Sequence, residues 1–481
     1  MDRYLYELGF FETDEAELQR EKVLGKLDFL VKKFVAKVGE DLGVAPGFEG
    51  KIFTFGSYRL GVHSKGADID VLCVAPRHVT RKNFFVDFFA MLGADEDIRG
   101  LSKVEDAYVP LIKFEFCGIP IDLVFASIHA PSMKNGLNLL DNSILRGMDE
   151  KCILSVNGNR VTDEILNLVP DTKTFHSALR CIKYWAKRRA VYGHTYGYFG
   201  GVSYTLCVAR VCQLYPNASS FTIVQKFFKL FMQWKWPNPV ILKKLDQCDL
   251  NFRVWDPATN MADKFHKMPV ITPAYPSMCS THNVFSSTQY FFTKELTRAY
   301  RVTAKVVDIN LCLKELFSLS DFFITYKNFI AVFCVSHALD GYETWEGFVE
   351  SKIRILCGKL EEAETVTYAI PYPRAFAYQR PPCKHGLEAY KKCTAYFIAL
   401  DFTNVKLMVN NRKVMVNTQV DDFNDFILQS PAKSKDTGIS IRSLKRADVG
   451  ELLRLYTSQK REREACEAGA DGQRAAISVF N

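Results

Sequence analysis

The sequence predicts an α+β protein in three parts: β-rich over residues 1–130, helical over 131–308, and smaller and mixed over 309–455. Three observations predict it. At about 150 residues per domain, 481 residues correspond to roughly three domains. Hydrophobic residues make up 48% and charged residues 24%, the balance of a folded chain, whereas disorder needs few apolar residues and high net charge. The hydrophobic pattern also changes twice, from short apolar runs to helical spacing near residue 140, then to a mixture beyond about 310.

An amphipathic helix comes first. Over 15–42, Leu18, Val23, Leu24, Leu27, Leu30, Phe34, Val38 and Leu42 recur near helical spacing beneath a charged face. Four short apolar runs bounded by Gly or Pro then read as strands: KIFTF (51–55), DIDVLCV (68–74), VPLIKFEF (109–116) and IPIDLVFA (119–126). KNFFVDFFAML (82–92) reads as a helix between them. In the middle part, helices are predicted over 162–169, 175–192, 201–215 and 221–236. WPNPV (236–240) and ITPAYP (271–276) read as loops packed among aromatics. The third part runs strand (328–335), helix (342–362), strand (365–370), strand (393–402), helix (419–429). That order is the split βαβ of ferredoxin-like folds, which many RNA-binding domains use. The intervening stretch 374–392 reads as a mobile basic loop, and 456–481 as a disordered tail without a core pattern.

Lys+Arg 62 against Asp+Glu 54 leaves +8, which permits a polyanionic partner without demanding one. The 14 cysteines sit in apolar runs, as with Cys73, Cys181 and Cys334, and read as buried reduced thiols. With no CxxC pair, a structural zinc site is not expected. The N-terminus places acids where a leader has its basic region, and no apolar run approaches the length of about 18 residues that spans a bilayer. The expected setting is a reducing compartment, with neither secretion nor membrane insertion.

The chemistry-bearing stretch is FTFGSYRLGVHSKGADIDVLCVAP, residues 53–76. An apolar strand runs into Gly56-Ser57 and a short helical turn. Glycine lets the backbone approach a ligand closely, and Ser57 is expected to cap the helix while its hydroxyl faces a phosphate. A turn at Lys65-Gly66 leads into a strand opening with Asp68 and Asp70, which share a face because they are two apart. Paired carboxylates repel unless a cation lies between them. Mg²⁺ suits the place, being a hard ion held by few carboxylates plus phosphate oxygens. Asp122 lies in an otherwise apolar strand, where an acid is costly without a charge partner. Three acids on adjacent strands could hold two ions about 4 Å apart for an in-line phosphoryl displacement. An Asp-x-Asp or a Gly-Ser alone is usually a solvated strand face or a plain turn; the specificity lies in the set. On the predicted helix over 175–192, Arg180, Lys183 and Lys187 fall at i, i+3 and i+7, a basic ridge suited to a triphosphate. His63 and His78 read as structural.

Residues 53–76 resemble the signature of the nucleotidyltransferase superfamily that includes DNA polymerase β. The wording FGSYRLGVHSKGADID…CVAPRH is similar to the eukaryotic poly(A) polymerases. The blocks SVNGNRVTDEILNLVP (155–170), LRCIKYWAKR (179–188), FGGVSY (199–204), MPVITPAYP (268–276) and VESKIRIL (349–356) extend the resemblance, strongly over about 50–360. It implies a nucleotidyltransferase palm domain over 1–130, a helical central domain closing over ATP, and an RRM-like RNA-binding domain over 309–455. It implies that Asp68, Asp70 and Asp122 hold two Mg²⁺ ions, with Mn²⁺ as the alternative, and that Asp122 lies beside the primer 3′ hydroxyl. Phe55, Gly56 and Ser57 match the strip that contacts the nucleotide, and Ser64 a position that is commonly Thr in the family. Lys183, Lys187, Tyr192, Gly201 and Val202 match positions closing over ATP, and Asn157 and Thr272 positions near the ribose and base.

The implied reaction is template-independent adenylyl transfer. The RNA 3′ hydroxyl attacks the α-phosphorus of ATP, and pyrophosphate leaves toward Ser57, Lys183 and Lys187. The implied partners are ATP, an RNA 3′ end and mRNA 3′-end processing factors, with no membrane, for a monomer in the nucleus. Nuclear relatives often carry a Ser/Thr-rich C-terminal extension with basic clusters; no such cluster appears here, so the nuclear expectation rests on the resemblance. Two other readings stay open: a relative that adds uridine, adds CCA or makes oligoadenylate, and a catalytically silent RNA-binding scaffold. Retention of all three acids opposes the scaffold.

Overall fold

The structure, a computed structural model, describes residues 1–45, 47–129, 137–383, 386–402 and 416–478, with side chains described as far as residue 463. The predicted boundary at 130–131 and the tail end at 479–481 lie outside the described residues, as do positions 384–385 of the basic loop. The chain divides into two compact units. The first comprises 1–184, 201–282 and 299–316, the second 185–200, 283–298 and 317–481.

The first unit opens with α1 (Asp2–Glu7) and α2 (Asp14–Asp41). Thr13 caps α2 by accepting from the Ala16 N–H, and Asp14, Glu15 and Glu17 fill its first turn, where the helix dipole favours acids. Then come β1 (Lys51–Phe55), α3 (Gly56–Arg59) and β2 (Ile69–Pro76). The helix predicted over 82–92 is α4 (Arg81–Asn83) and α5 (Phe89–Gly93) joined by a π-helical turn, Phe84–Phe88. β3 (Ile98–Val104), β4 (Leu111–Phe116) and β5 (Ile119–Ile128) complete a sheet of order β1-β2-β5-β4-β3. β2 and β5 are parallel; the other neighbours are antiparallel.

Successive strand residues face opposite ways. In β2, Val71, Cys73 and Ala75 join Leu27, Phe34 and Phe88 in one core, while Leu72 and Val74 join Ile153 and Val156 of α6 (Glu150–Leu168) in another. Burial on both sides explains why β2 and β5 read as near-continuous apolar runs. β3 gave no such signal because it is a mostly exposed edge strand, with an irregularity between Arg99 and Ser102. α6 begins twelve residues earlier than the predicted 162, because Asn159 and Arg160 are buried and interrupt its apolar period.

α7 (Thr172–Arg188) starts three residues before the predicted 175 and ends four before 192, where Ala190, at φ 58°, turns the chain out of the helix. α8 (Gly201–Leu214), α9 (Ser220–Met232) and α10 (Met261–Lys264) follow. α11 (Ser286–Ala304) and α12 (Ile309–Leu316) are helices the sequence reading did not predict.

The second unit contains α13 (Phe322–Thr325), β6 (Asn328–Ser336), α14 (Tyr342–Glu361), β7 (Tyr368–Pro371), β8 (Phe376–Tyr378), β9 (Lys392–Asp401), α15 (Asn417–Leu428), β10 (Thr437–Lys445) and α16 (Arg446–Ser478). The strand order β10-β6-β9-β7, with β6 and β7 both antiparallel to β9, is the ferredoxin-like arrangement the sequence predicts, completed by β10. β10 escaped prediction as a half-exposed edge strand. β8 lies inside the stretch read as a mobile loop. The tail read as disordered is helical through Ser478. Its anchor is polar: the buried Gln459 accepts from the Gln379 N–H at 2.8 Å and donates to the Arg380 carbonyl at 2.9 Å.

Candidate active site

Strand register builds the site. Phe55 pairs with Asp70 across β1 and β2, Asp70 with Asp122 across the parallel pair, and Asp122 with Lys113 across β5 and β4. One row across the sheet therefore reads Phe55, Asp70, Asp122, Lys113. Asp68 lies just before β2, and one carboxylate oxygen from each of the three acids lies within 4.8 Å of the others. The crowding shows in the electrostatics. Burial, then the charges of Asp68 and Asp122, push the Asp70 carboxyl up to about 7, while Lys113 and Lys183 pull it down. Lys113 Nζ donates to Asp122 Oδ2 at 2.8 Å.

Gly56 is required twice over. Its φ of 62° lies in the left-handed region, and a Cβ there would fall 2.0 Å from Asp70 Oδ2. Its N–H donates to Thr162 Oγ1 at 3.3 Å, and Asn159 Nδ2 donates to the Thr54 carbonyl at 3.0 Å. A Cβ on Gly158 would come within 2.8 Å of the Phe55 ring. Helix α6 thus seats the turn between β1 and α3. Ser57 does not cap α3 as expected: Phe55 is the N-cap, without a side-chain cap bond, and Ser57 lies inside the helix. Phe55 is the last extended residue, so the helix starts at Gly56, two residues too early for Ser57 to be its cap.

Among the described residues, Asn157 Oδ1 is buried without a hydrogen-bond partner. Lys183 of α7 acts on the Asp70 charge, as a phosphate-facing lysine beside the acids would. Arg180 departs from the predicted ridge: its guanidinium donates to the Gly61 carbonyl and lies 5.0 Å from the Phe11 ring centroid. Ser64 opens the turn that ends at Ala67, whose N–H donates to the Ser64 carbonyl at 2.9 Å. Gly201 and Val202 start α8, with Val202 46% exposed. Thr272 is buried, and its hydroxyl accepts from the Met278 N–H at 2.9 Å. Lys187 and Tyr192 belong to the second unit, where the ammonium lies 5.4 Å from the ring centroid.

Lys113, Thr162, Asn159 and Gly158 were not singled out from the sequence. Lys113 had a signal. Cys117 and Gly118 both have positive φ, as a two-residue hairpin turn requires, and such a turn after LIKFEF places residue 113 opposite 122. The α6 residues had none, because their partners lie about a hundred positions away.

Three hard oxygen donors, one of them pushed up to about 7 by burial and then by its two acidic neighbours, fit a divalent cation. The mixed sheet carries this triad beside a Gly-Ser turn, the layout of a nucleotidyltransferase domain. Three family models match in succession: the poly(A) polymerase nucleotidyltransferase domain over 1–169, the poly(A) polymerase central domain over 174–319, and the poly(A) polymerase predicted RNA binding domain over 321–391. The chain belongs to the poly(A) polymerase family. It is 45% identical over 374 residues to the poly(A) polymerase pla1 of Schizosaccharomyces pombe, covering 76% of this chain and 66% of that one. Poly(A) polymerase PAPalpha of Candida albicans is 46% identical over 374 residues, covering 77% and 67%. The poly(A) polymerase of Dictyostelium discoideum is 41% identical over 433 residues, covering 89% and 53%. The chain therefore spans at most about two thirds of the length of these relatives. Among solved structures, one of Cid1, described for its RNA terminal uridylyl transferase activity, aligns at a TM-score of 0.46 and 15% identity, covering 66% of this chain and 98% of that one.

Proposed function

We propose that this protein is a template-independent polynucleotide adenylyltransferase that adds AMP from ATP to RNA 3′ ends and releases pyrophosphate. The observation carrying this is the triad: Asp70 and Asp122 side by side on parallel strands, with Asp68 within 4.8 Å. Asp68, Asp70 and Asp122 would hold two Mg²⁺ ions, or Mn²⁺ in their place. Bound there, the ions supply neutralisation of the triphosphate and acidification of the attacking hydroxyl.

The remaining work falls to the chain itself. Asp122, restrained by Lys113, orients the RNA 3′ hydroxyl. The bare Cα of Gly56 leaves room beside Asp70, where Phe55, Gly56 and Ser57 present backbone and hydroxyl to the phosphates. Lys183, whose charge acts on Asp70, adds positive charge toward the leaving pyrophosphate, and Lys187 is assigned to the same work from family membership alone. The unpartnered Asn157 Oδ1 accepts from a ribose hydroxyl. Val202 and Thr272 bound the adenine, with Gly201 at the start of α8 beside them and Ser64 donating to phosphate; Tyr192 is assigned to ATP from family membership alone.

ATP and RNA 3′ ends are the proposed partners, with mRNA 3′-end processing factors beyond them, for a monomer acting in the nucleus; family membership supports these. The family-model segments are read as catalytic, ATP-binding and RNA-binding in that order. The deciding experiment offers each ribonucleotide separately to a labelled RNA primer with Mg²⁺. An ATP-only ladder, lost in Asp70→Ala, is expected. A UTP or CTP ladder would move the protein to another branch, and no ladder with any nucleotide would sink the reading.

A further inference from the structure

The loop between α3 and Asp68 is held from outside the sheet by the chain's first twenty residues. Its last turn runs Ser64-Lys65-Gly66-Ala67, closed by the Ala67 N–H on the Ser64 carbonyl at 2.9 Å, with Gly66 left-handed at φ 71°. A turn of this kind leaves two central amides pointing outward. Both are taken by the segment joining α1 to α2: the Lys65 N–H donates to the Phe10 carbonyl at 3.0 Å, and the Gly66 N–H donates to Glu12 Oε1 at 2.9 Å. A third tie lies just before the turn, where His63 Nε2 is 2.8 Å from Glu17 Oε1.

Glu12 cannot swing away from this bond. Arg20 grips it with two hydrogen bonds of 2.7 Å each, and the side chains are 6% and 3% exposed. The guanidinium holds the Glu12 carboxyl below the usual carboxylate range, so it is a charged acceptor at working pH. Arg20 is itself fixed within α2, whose apolar face packs into the sheet core. The ordered path is therefore α2, Arg20, Glu12, the Gly66 amide, and two residues later the Asp68 carboxylate. Asp68 needs such a path: it precedes the first residue of β2, so no strand ladder fixes its backbone. Asp70 and Asp122 sit inside paired strands and do not need one.

We propose that Glu12, locked by Arg20, is a positioning residue for Asp68, setting the carboxylate where a divalent cation requires it. This rests on the reading of Asp68 as a metal ligand. A buried ion pair broken on one side destabilises a protein whatever else it does, so two variants separate the roles. Glu12→Gln keeps an oxygen for the Gly66 N–H but leaves Arg20 without its counter-charge. The double replacement Glu12→Leu with Arg20→Met removes both charges and the acceptor, and leaves no buried charge uncompensated; the freed Gly66 N–H is exposed to water.

The test measures melting temperature, the Mg²⁺ concentration for half-maximal primer extension, the KM for ATP at saturating Mg²⁺, and hydrogen exchange of the 61–68 segment. The double variant is expected to melt near wild type, need about ten-fold more Mg²⁺, keep its KM within about two-fold, and exchange the segment at least about ten-fold faster. Glu12→Gln is expected to melt lower yet stay within about three-fold of wild type in Mg²⁺ requirement. The inference is overturned if the Mg²⁺ requirement follows melting temperature rather than the acceptor, or if the double variant matches wild type in Mg²⁺ and exchange. If wild type extends no primer, the functional reading fails separately. The inference is then decided by exchange and by direct Mn²⁺ titration of the same proteins.

Discussion

The Asp70 carboxyl, pushed up to about 7 by burial and by Asp68 and Asp122, makes the cation-free protein pH-sensitive in a defined direction. A raised carboxyl pKa means the folded chain binds the proton more tightly than the unfolded one. The stabilisation is complete below the unfolded value of about 3.9 and is lost as pH rises through about 7. Without divalent ions the melting temperature should therefore fall between about pH 4 and pH 7, and Mg²⁺ should restore it above that window. Asp70→Asn should flatten the profile, raise the cation-free melting temperature at pH 8 by about 2–8 °C, and abolish primer extension. A melting temperature that stays level across the window in the cation-free wild type would contradict the assignment. At Gly56, Ala should leave the protein folded and cut kcat/KM at least about a hundred-fold, because its Cβ would occupy the space beside Asp70 Oδ2. At this scale the sequence was legible. Asp68, Asp70 and Gly56 lie in one contiguous stretch, and alternation along a strand is enough to put two acids on one face. The expectation that Ser57 caps α3 failed because a cap depends on which residue is the last extended one, which side-chain preference alone does not decide.

Helix α6 shows what the element scale adds. Its residues Gly158, Asn159 and Thr162 seat β1 and the Gly56 turn, yet none has the look of a functional residue in the sequence. Thr162→Val removes the acceptor for the Gly56 N–H at nearly constant volume. It should cost about 1–3 kcal/mol in urea denaturation and raise the KM for ATP more than it lowers kcat. An unchanged KM would mean that the turn holds its shape without α6. Element prediction succeeded where burial on one or both faces imposes a period, as in α2, β2 and β5. It failed at β3 and β10, edge strands whose exposed side chains carry no such imprint, and in the first half of α6, where buried Asn159 and Arg160 break the apolar rhythm.

In the second unit as a whole, both faces of the ferredoxin-like sheet are occupied by the chain itself. Tyr396 of β9 faces α14, with its hydroxyl near the Glu346 carbonyl, while Phe397 faces the other way onto Phe323 and Phe376. Tyr456 of α16 closes over Phe376. A chain ending at Lys445 would uncover this aromatic cluster and should aggregate or melt much lower, with strong binding of a hydrophobic dye. Gln459→Ala should reproduce about 1–3 kcal/mol of that loss, since it leaves the Gln379 N–H and Arg380 carbonyl unpaired. A truncated chain as stable as the full one would show that α16 is dispensable.

By itself the sequence pointed to the class of chemistry and to the order of those elements on which burial imposes an apolar period. The Asp-x-Asp strand, the Gly-Ser turn and the apolar periods are local patterns, and local patterns survive in a linear text. Only the tertiary structure decided that Asp122 pairs with Asp70 in register, that Lys113 completes the row, that Arg180 serves the Gly61 carbonyl, and that α16 is part of the folded unit. These are contacts between residues far apart along the chain. Their energy depends on which surfaces the packed core leaves facing each other, and no period in the sequence encodes that.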